Sequence, residues 1–251
     1  MSAPVFVCAE AADAVAGSVL TLGGAEARHA LAVQRRAVGE AIDLVDGAGA
    51  RARARIVSVH DGVLEARVEE VSRDDDPPVT LVQALAKGGR DEQAVEAATE
   101  LGITRVVPWA AERSIVQWRG AKADKALAQW RSLVVAAAKQ SRRALIPHVE
   151  HLVTSRHLAH DIAAATAEGV RVLVLHEAAS APLARLTWAD DSQPVWIIVG
   201  PEGGITDSEL DAFTAAGALA VRLGPHVLRA SSAGAAAIAA LATARGTWTT
   251  A

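Results

Sequence analysis

Short apolar runs in the first part of the chain alternate with polar residues at the two-residue period of β-strands. VFV, VLTL, AIDLVDG, RARARIVSVH and VLEARVEEV follow one another between Gly or Asp residues, with one helical pattern, EARHALAVQ, inserted. This series predicts a small β-barrel. The acidic stretch SRDDDPPV then breaks the pattern, so we predict a first domain over residues 1–73 and a second over residues 74–251.

The second part of the chain alternates strand-like and helix-like patterns. Strands are predicted at VTLVQAL, RVVPW, VRVLVLH, VWIIVG and AVRLG. Helices are predicted at RDEQAVEAATEL, residues 121–143, TDSELDAFTAAG and the alanine-rich end. This alternation is typical of an α/β fold with a mainly parallel sheet and helices on its faces.

The composition is that of a globular chain. It has 251 residues, 51% of them hydrophobic, yet no run approaches the roughly 20 apolar residues that span a bilayer. The first residues lack the basic start and long apolar core of a signal peptide, so we expect a cytoplasmic protein with no membrane contact. The one cysteine, Cys8, excludes an intramolecular disulfide, and we expect it to be buried rather than catalytic.

The net charge of −4 conceals two basic regions. Residues 113–143 contain eight Lys or Arg and one acid, Asp124. In RARARI, Arg51, Arg53 and Arg55 alternate with apolar residues, which on a strand places three guanidinium groups on one face about 6.6 Å apart. Either region alone is more readily explained as a solvated face, whereas the two together favour a polyanionic partner.

The turn GPEGG, residues 200–204, lies between an apolar strand pattern and a helix-starting capping box, TDSE. It lacks the lysine of a P-loop, the glycine spacing of a dinucleotide fingerprint and the serine of a nucleophile elbow. Its glycines allow the backbone to approach a flat, largely uncharged ligand such as an adenosine, although a purely structural turn is equally compatible. The turns LGPHVLRASSAG and VLVLHEAAS follow neighbouring predicted strands, so the three are expected to form one pocket.

These motifs resemble those of the RsmE family of ribosomal RNA uridine-N3 methyltransferases, within the SPOUT superfamily. The resemblance rests on HEAAS, VGPEGGITDSEL and LGPHVLRASSAGAAAIAAL, together with KGGRDEQAVEAATELGITRVVPWAAERSIVQW and AAKQSRRALIPHV. It implies an amino-terminal PUA-like β-barrel and a carboxyl-terminal SPOUT methyltransferase domain with a trefoil knot. It further implies S-adenosylmethionine as cofactor, a homodimer, and a uridine of 16S rRNA in the small ribosomal subunit as substrate.

Carried over position by position, the resemblance assigns cofactor contacts to three loops. They are His176, Glu177, Val199, Gly200, Pro201, Glu202, Gly203, Gly204, Leu223, Gly224, Leu228, Arg229 and Ala230. The chain departs from the common family pattern after Arg229, where Ala-Ser-Ser-Ala replaces Thr-Glu-Thr-Ala. The last helix therefore has no acidic residue at its start, and we expect Ser231 to cap it.

Two residues are candidates for catalysis. Methyl transfer to uridine N3 requires alignment of the two substrates and removal of the N3 proton, which leaves negative charge on the ring oxygens. We expect Arg229 to stabilise that charge and Glu202 to accept the proton, directly or through water. The alternatives left open are that Arg229 binds phosphate or pairs with a carboxylate, and that Glu202 only favours the following helix terminus.

The residues expected to contact RNA have side chains suited to phosphate. At family motif positions they are Arg28, Lys87, Arg90, Arg113, Gln140, Arg142 and Arg143, to which the stripe Arg51, Arg53 and Arg55 is added.

Two alternative functions and one alternative metal site explain fewer of the sequence features. A non-catalytic RNA-binding assembly factor does not explain the glycine turns, and a nucleotide-dependent oxidoreductase does not explain the barrel. The pairs His148/His151 and His157/His160 have a spacing that binds zinc on a helix, but Pro147 and the strand-like VEHLV oppose a helix at the first pair. We therefore expect no metal.

Overall fold

The computed structural model of the protein describes residues 3–188 and 192–248. The chain divides into two compact units. The first comprises Met1–Asp75 and the later segment Ala138–Ile146, and the second comprises Asp76–Ala137 and Pro147–Ala251. The return of a short later segment to the first unit is not visible in the sequence pattern.

The first unit is built on a five-stranded sheet in the order β1-β3-β4-β5-β2. The strands are β1 (Val5–Val7), β2 (Val19–Leu22), β3 (Ala41–Val45), β4 (Ala50–His60) and β5 (Val63–Arg73). Helix α1 (Gly24–Arg28) continues into a π-helical turn over His29–Val33. β1 and β2 lie at opposite ends of the pairing order, so the described residues form an open sheet and not the closed barrel expected from the sequence.

Strand β4 shows why the sheet forms. Ala52, Ala54 and Ile56 are buried in the core of the unit, while Arg53 and Arg55 between them are exposed. This alternation is the two-residue period that the sequence predicts. Cys8 belongs to the same core, where burial, with help from a hydrogen bond to a glutamate, raises the pKa of its thiol to about 11. It is a buried structural side chain, as expected.

An ion pair and two hydrogen bonds join segment Ala138–Ile146 to the rest of the first unit. Lys139 forms a 2.6 Å ion pair with Glu26. The backbone N–H of Ala144 donates to Asp74 at 2.8 Å, and the carbonyl of Arg142 accepts from Arg51 at 2.8 Å. These contacts place the end of the helix that finishes at Gln140 in the first unit.

The second unit is an α/β structure around a parallel sheet in the order β11-β13-β10-β12-β6-β7-β8, with β9 also paired to β7. The strands are β6 (Val79–Ala84), β7 (Arg105–Ala110), β8 (His148–Val149), β9 (Val153–Thr154), β10 (Arg171–Leu175), β11 (Ala181–Pro182), β12 (Val195–Val199) and β13 (Leu219–Arg222). The helices are α2 (Arg90–Glu100), α3 (Ala121–Gln140), α4 (Ser155–Ala167), α5 (Asp207–Ala215) and α6 (Ala230–Arg245).

The central strands β6 and β12 are buried along their whole length, which is why they appear as continuous apolar runs in the sequence. On one face, Val82 and Ile198 pack in a cluster that includes Leu158 of α4 and Phe213 of α5. On the other face α6 comes close to the sheet, because a Cβ on Gly234 would lie 3.0 Å from Cδ1 of Leu81. The sheet is thus covered on both faces, as the alternating pattern predicts.

One helix was missed in the sequence pattern, and one local prediction was wrong. Helix α4 was not predicted, and its start is fixed by Thr154, whose side chain accepts from the backbone N–H of His157. Helix α6 has Arg229 as its N-cap and no side-chain cap, so Ser231 does not cap it. The hydroxyl of Ser232 instead donates to the carbonyl of Arg229 at 3.4 Å. Among the described residues, no helix combines the length and apolar character that crossing a bilayer requires.

Candidate active site

The largest concentration of predicted site residues surrounds a cavity at the carboxyl edge of the parallel sheet. The cavity has a volume of about 490 Å³ and is lined by the loops that follow β10, β12 and β13. A smaller cavity of about 130 Å³ adjoins it and shares His176, Glu177 and Leu228. Ligands of parallel α/β sheets bind at this edge, and the larger volume is within the usual range for small-molecule sites.

All thirteen residues expected to contact a cofactor line these two cavities. Leu223 and Gly224 line the smaller one, and the others line the larger one: His176, Glu177, Val199, Gly200, Pro201, Glu202, Gly203, Gly204, Leu228, Arg229 and Ala230. The sequence missed several apolar members of the wall, namely Leu175, Ile205, Val227 and Ala233. Each of these is next to a predicted residue or one helical turn from it, so contiguity with the motifs would have found them.

The GPEGG loop needs its glycines for steric reasons. A Cβ on Gly200 would lie 2.6 Å from Cγ1 of Ile205, and one on Gly203 would lie 3.0 Å from Cβ of Arg113. Gly204 has a φ of 75°, in the left-handed region that favours glycine, and its N–H donates to the carbonyl of Pro201 at 2.9 Å. The loop is therefore a tight turn whose backbone, rather than its side chains, forms the cavity wall.

Glu202 is held by groups from α2 and the loop before it. Its carboxylate forms a 2.8 Å ion pair with Arg90, and the backbone N–H of Lys87 donates to it at 3.3 Å. Partial burial raises the pKa of Glu202, but its hydrogen bonds and the Arg90 charge outweigh that effect, so the pKa is lowered. A carboxylate with a lowered pKa is a weaker proton acceptor than an ordinary one.

Asp91, the next residue of α2, has the opposite character. It is buried, and burial together with the nearby charge of Glu202 raises its pKa despite hydrogen bonds from the backbone, including one from Ala86 at 3.1 Å. Asp91 thus fixes the loop between β6 and α2 that presents Arg90.

Arg113 lines the cavity from the opposite side, beyond the end of β7. Its guanidinium donates to the carbonyl of Gly203 at 3.1 Å. Arg90 and Arg113, both predicted from sequence to contact RNA, therefore also hold the GPEGG loop, one through a side chain and one through the backbone.

Arg229 is exposed at the start of α6, on the wall of the cavity. No ion pair engages its guanidinium within residues 3–188 and 192–248. Two apolar neighbours, Val227 and Leu228, are also exposed, Val227 by 77%. The loop thus presents a cation that no carboxylate of the described residues engages, beside apolar surface at the mouth of the cavity.

Five of the remaining residues predicted to contact RNA have exposed side chains. Arg28, Arg53, Lys87, Gln140 and Arg142 are exposed.

Three other members of that prediction are restricted by the fold. Arg51 is only 17% exposed and pairs with Asp43 at 2.9 Å and Asp74 at 2.7 Å. Arg55 is exposed but pairs with Glu69 at 2.6 Å, and Arg143 is 8% exposed. The predicted arginine stripe is therefore largely neutralised by carboxylates of its own sheet.

The described residues contain no group of three or more His, Cys, Asp or Glu side chains arranged to hold a metal ion. His148 lies on β8, whereas His157 and His160 lie on α4, so the two H-x-x-H pairs have different local structures.

Comparison with known proteins assigns the chain to a family. Residues 74–242 match the model of an RNA methyltransferase domain family. The ribosomal RNA small subunit methyltransferase E proteins of Mycobacterium bovis and Mycobacterium tuberculosis are each 43% identical over 238 residues, covering 92% of this chain and 89% of the relative. The chain belongs to the RsmE family.

A solved RsmE structure extends the similarity to the fold. The RsmE protein of Neisseria gonorrhoeae, whose crystal structure was determined bound to S-adenosyl methionine, has 30% identity and a TM-score of 0.84. The match covers 96% of this chain and 98% of that one. Both units of the present chain are thus represented in an RsmE structure.

Proposed function

We propose that this protein transfers a methyl group from S-adenosylmethionine to N3 of a uridine in 16S rRNA of the small ribosomal subunit. The single observation that carries the proposal is the placement of all thirteen predicted cofactor residues around adjoining cavities at one sheet edge. The N. gonorrhoeae relative bound to S-adenosyl methionine supports the cofactor, and the curated relatives' names support the ribosomal substrate.

The cavity suits an adenosine-containing cofactor. A Cβ on Gly200 would overlap Ile205 and one on Gly203 would crowd Arg113, so the loop presents backbone N–H and C=O groups along its wall. Val199, Ile205 and Leu228 supply apolar surface for a flat base. When bound, the cofactor supplies a methyl group already activated on a sulfonium.

Arg229 is the proposed catalytic cation. Removal of the N3 proton places negative charge on the uridine ring oxygens, and an exposed guanidinium at the cavity mouth is suited to stabilise it. Among the described residues no carboxylate forms an ion pair with it, which leaves its charge available to the uridine.

In this proposal Glu202 mainly holds the cofactor loop and is not the general base under ordinary conditions. Its pKa is lowered by its hydrogen bonds and by Arg90, which makes it a poor acceptor for the N3 proton at neutral pH. Its principal effect is to hold the cofactor loop against α2. It accepts a proton only if RNA draws Arg90 away.

The residues proposed to contact RNA lie in both units: Arg90, Arg113 and the exposed Lys87 in the second, and the exposed Arg28, Arg53, Gln140 and Arg142 in the first. We further propose that residues 1–73 form a PUA-like RNA-binding domain and residues 74–251 a SPOUT methyltransferase domain with a trefoil knot. A homodimer completes the proposal, with the exposed Val227 and Leu228 available to the partner.

The first experiment is calorimetric titration with S-adenosylmethionine, followed by methyl transfer to unmodified small ribosomal subunits and nucleoside analysis. Binding with formation of 3-methyluridine is the expected result. A different methylated nucleoside would retain the methyltransferase and discard the target atom. Absence of cofactor binding would favour the RNA-binding assembly factor.

A further inference from the structure

We propose that Glu209 is a positioning residue that sets Arg113 against the cofactor loop, in addition to capping helix α5. The inference rests on the proposed function, because it assigns Glu209 a part in presenting Arg113 to RNA. Glu209 does not line the cavity and acts only through its neighbours.

Glu209 is a buried carboxylate with both oxygens occupied. It is 2% exposed. Its Oε1 accepts from the backbone N–H of Glu112 at 2.8 Å and from the hydroxyl of Ser155 at 2.6 Å. Its Oε2 accepts from the backbone N–H and the hydroxyl of Thr206, at 3.0 and 3.1 Å. One side chain thus joins α5, the start of α4 and the loop after β7.

A helix cap requires only half of this arrangement. The capping box of α5 is completed by the Thr206 hydroxyl and by Oε2, so Oε1 is not needed for it. Oε1 instead accepts from the backbone N–H of Glu112, 97 residues away in sequence and two residues beyond the end of β7. This bond holds the loop after β7 to α5.

The fixed loop carries Arg113, the residue after Glu112. Arg113 donates to the carbonyl of Gly203, and a Cβ on Gly203 would lie 3.0 Å from Cβ of Arg113. Two constraints therefore fix the distance between Arg113 and GPEGG. Helix α5 directly follows GPEGG in the chain, and Glu209 of α5 binds the backbone of the residue before Arg113. Small displacements of positioned groups reduce rates strongly, by about a hundredfold for a 1 Å shift.

The neutral isostere Glu209→Gln tests whether both acceptor oxygens of Glu209 are needed. Both Glu112 and Thr206 present a backbone N–H, which cannot accept from an amide –NH₂, so a glutamine satisfies one of them and faces the other with a donor. Ser155 and Thr206 hydroxyls can rotate and accept. The substitution therefore keeps the volume of the side chain and breaks either the cap or the tether to Glu112.

The decisive experiment is a double-mutant cycle between Glu209→Gln and Arg113→Ala, measured as kcat/KM for small ribosomal subunits. We expect Glu209→Gln to lower kcat/KM about tenfold, mainly through KM, and to cost less than about twofold when Arg113 is already alanine. The control Thr206→Ala weakens the cap and removes the 3.0 Å hydrogen bond from the Thr206 hydroxyl to the Glu112 carboxylate, but it leaves the bond between the Glu112 backbone N–H and Glu209. Its effect is expected to be below about threefold and to multiply with that of Arg113→Ala.

Two results would overturn the proposal: independent effects of Glu209→Gln and Arg113→Ala, or equal effects of Glu209→Gln and Thr206→Ala. The same cycle on the Kd for S-adenosylmethionine separates this proposal from the proposed function. If the wild-type protein binds the cofactor but does not methylate subunits, the proposed substrate is wrong. Coupling between Glu209 and Arg113 in cofactor binding would then still support the positioning role, and additivity would reject it.

Discussion

Replacing Gly200 by alanine is expected to weaken cofactor binding far more than its small size suggests. The new Cβ would lie 2.6 Å from Cγ1, 3.3 Å from Cδ1 and 3.5 Å from the backbone nitrogen of Ile205. Cγ1 is not the free end of a flexible side chain, and Ile205 is itself buried in the core beneath the loop. Relief of the contact therefore requires the loop or the core to move.

The magnitude follows from the cost of overpacking, about 1–3 kcal/mol for an added methyl group in a packed site. If the strain is relieved by displacing the cofactor loop, binding loses the same free energy. The Kd for S-adenosylmethionine is then expected to rise about 5- to 150-fold. Isothermal titration calorimetry measures this directly, with thermal unfolding in parallel.

Gly217→Ala provides a matched steric control outside both cavities. Its Cβ would lie 2.9 Å from Oγ1 of Thr166, and its φ is 99°. We expect this variant to lose stability with a Kd within about twofold of wild type.

The partner of the clash gives a second test. In an Ile205→Ala background the colliding atoms are absent, so adding Gly200→Ala is expected to raise the Kd less than about threefold. Wild-type affinity in Gly200→Ala, or an equal cost in both backgrounds, would refute the steric account of this loop.

Four further outcomes are expected. Arg229→Ala lowers methyl transfer at least about 100-fold while the cofactor Kd stays within about threefold, and retained turnover would remove Arg229 from the mechanism. Arg90→Ala raises the pKa of Glu202 toward the ordinary glutamate value, as measured by NMR of the carboxyl carbon; an unchanged titration would contradict the pairing. Binding to the small subunit weakens steeply with salt, and a flat response would exclude phosphate contacts. In the first unit, burial raises the pKa of Asp74, but Arg51 and a backbone N–H lower it by more, so the net pKa lies below the ordinary aspartate value. The lowered pKa contributes stability that is present at neutral pH and is lost as pH falls below the ordinary aspartate range. Arg51→Ala removes the largest part of this contribution and costs about 2 kcal/mol, a loss that urea titrations at neutral and acidic pH would detect.

Local sequence patterns predicted most elements because local physics determines them. The buried run Val195–Val199 is β12, and the TDSE capping box starts α5 as expected. The same patterns failed where the fold overrides them. Helix α4 follows two very short strands, β8 and β9, and its start depends on the cap Thr154, which the sequence pattern did not reveal.

The site was predicted better than the RNA surface for a physical reason. Glycine turns at the ends of parallel strands converge whatever surrounds them, so the motifs located the cavity wall. Whether an arginine is free depends on carboxylates distant in sequence. Asp74 pairs with Arg51 from a strand away, and Glu202 pairs with Arg90 across 112 residues. No charge count along the chain reveals such pairs.

Two glutamates of the same strand–loop–helix unit show how the loop is held. Glu202 is partly exposed and paired with a cation, so its contact weakens when a phosphate competes for Arg90. Glu209 is buried and bound by neutral donors, so salt and phosphate cannot reach its contacts. Because a phosphate of the proposed RNA substrate can compete for Arg90, the contact of GPEGG with Arg90 can change when RNA binds. The contact of GPEGG with Arg113 is held by the buried Glu209. A loop held in this way can adjust to substrate at one edge without losing the geometry of the cofactor wall at the other.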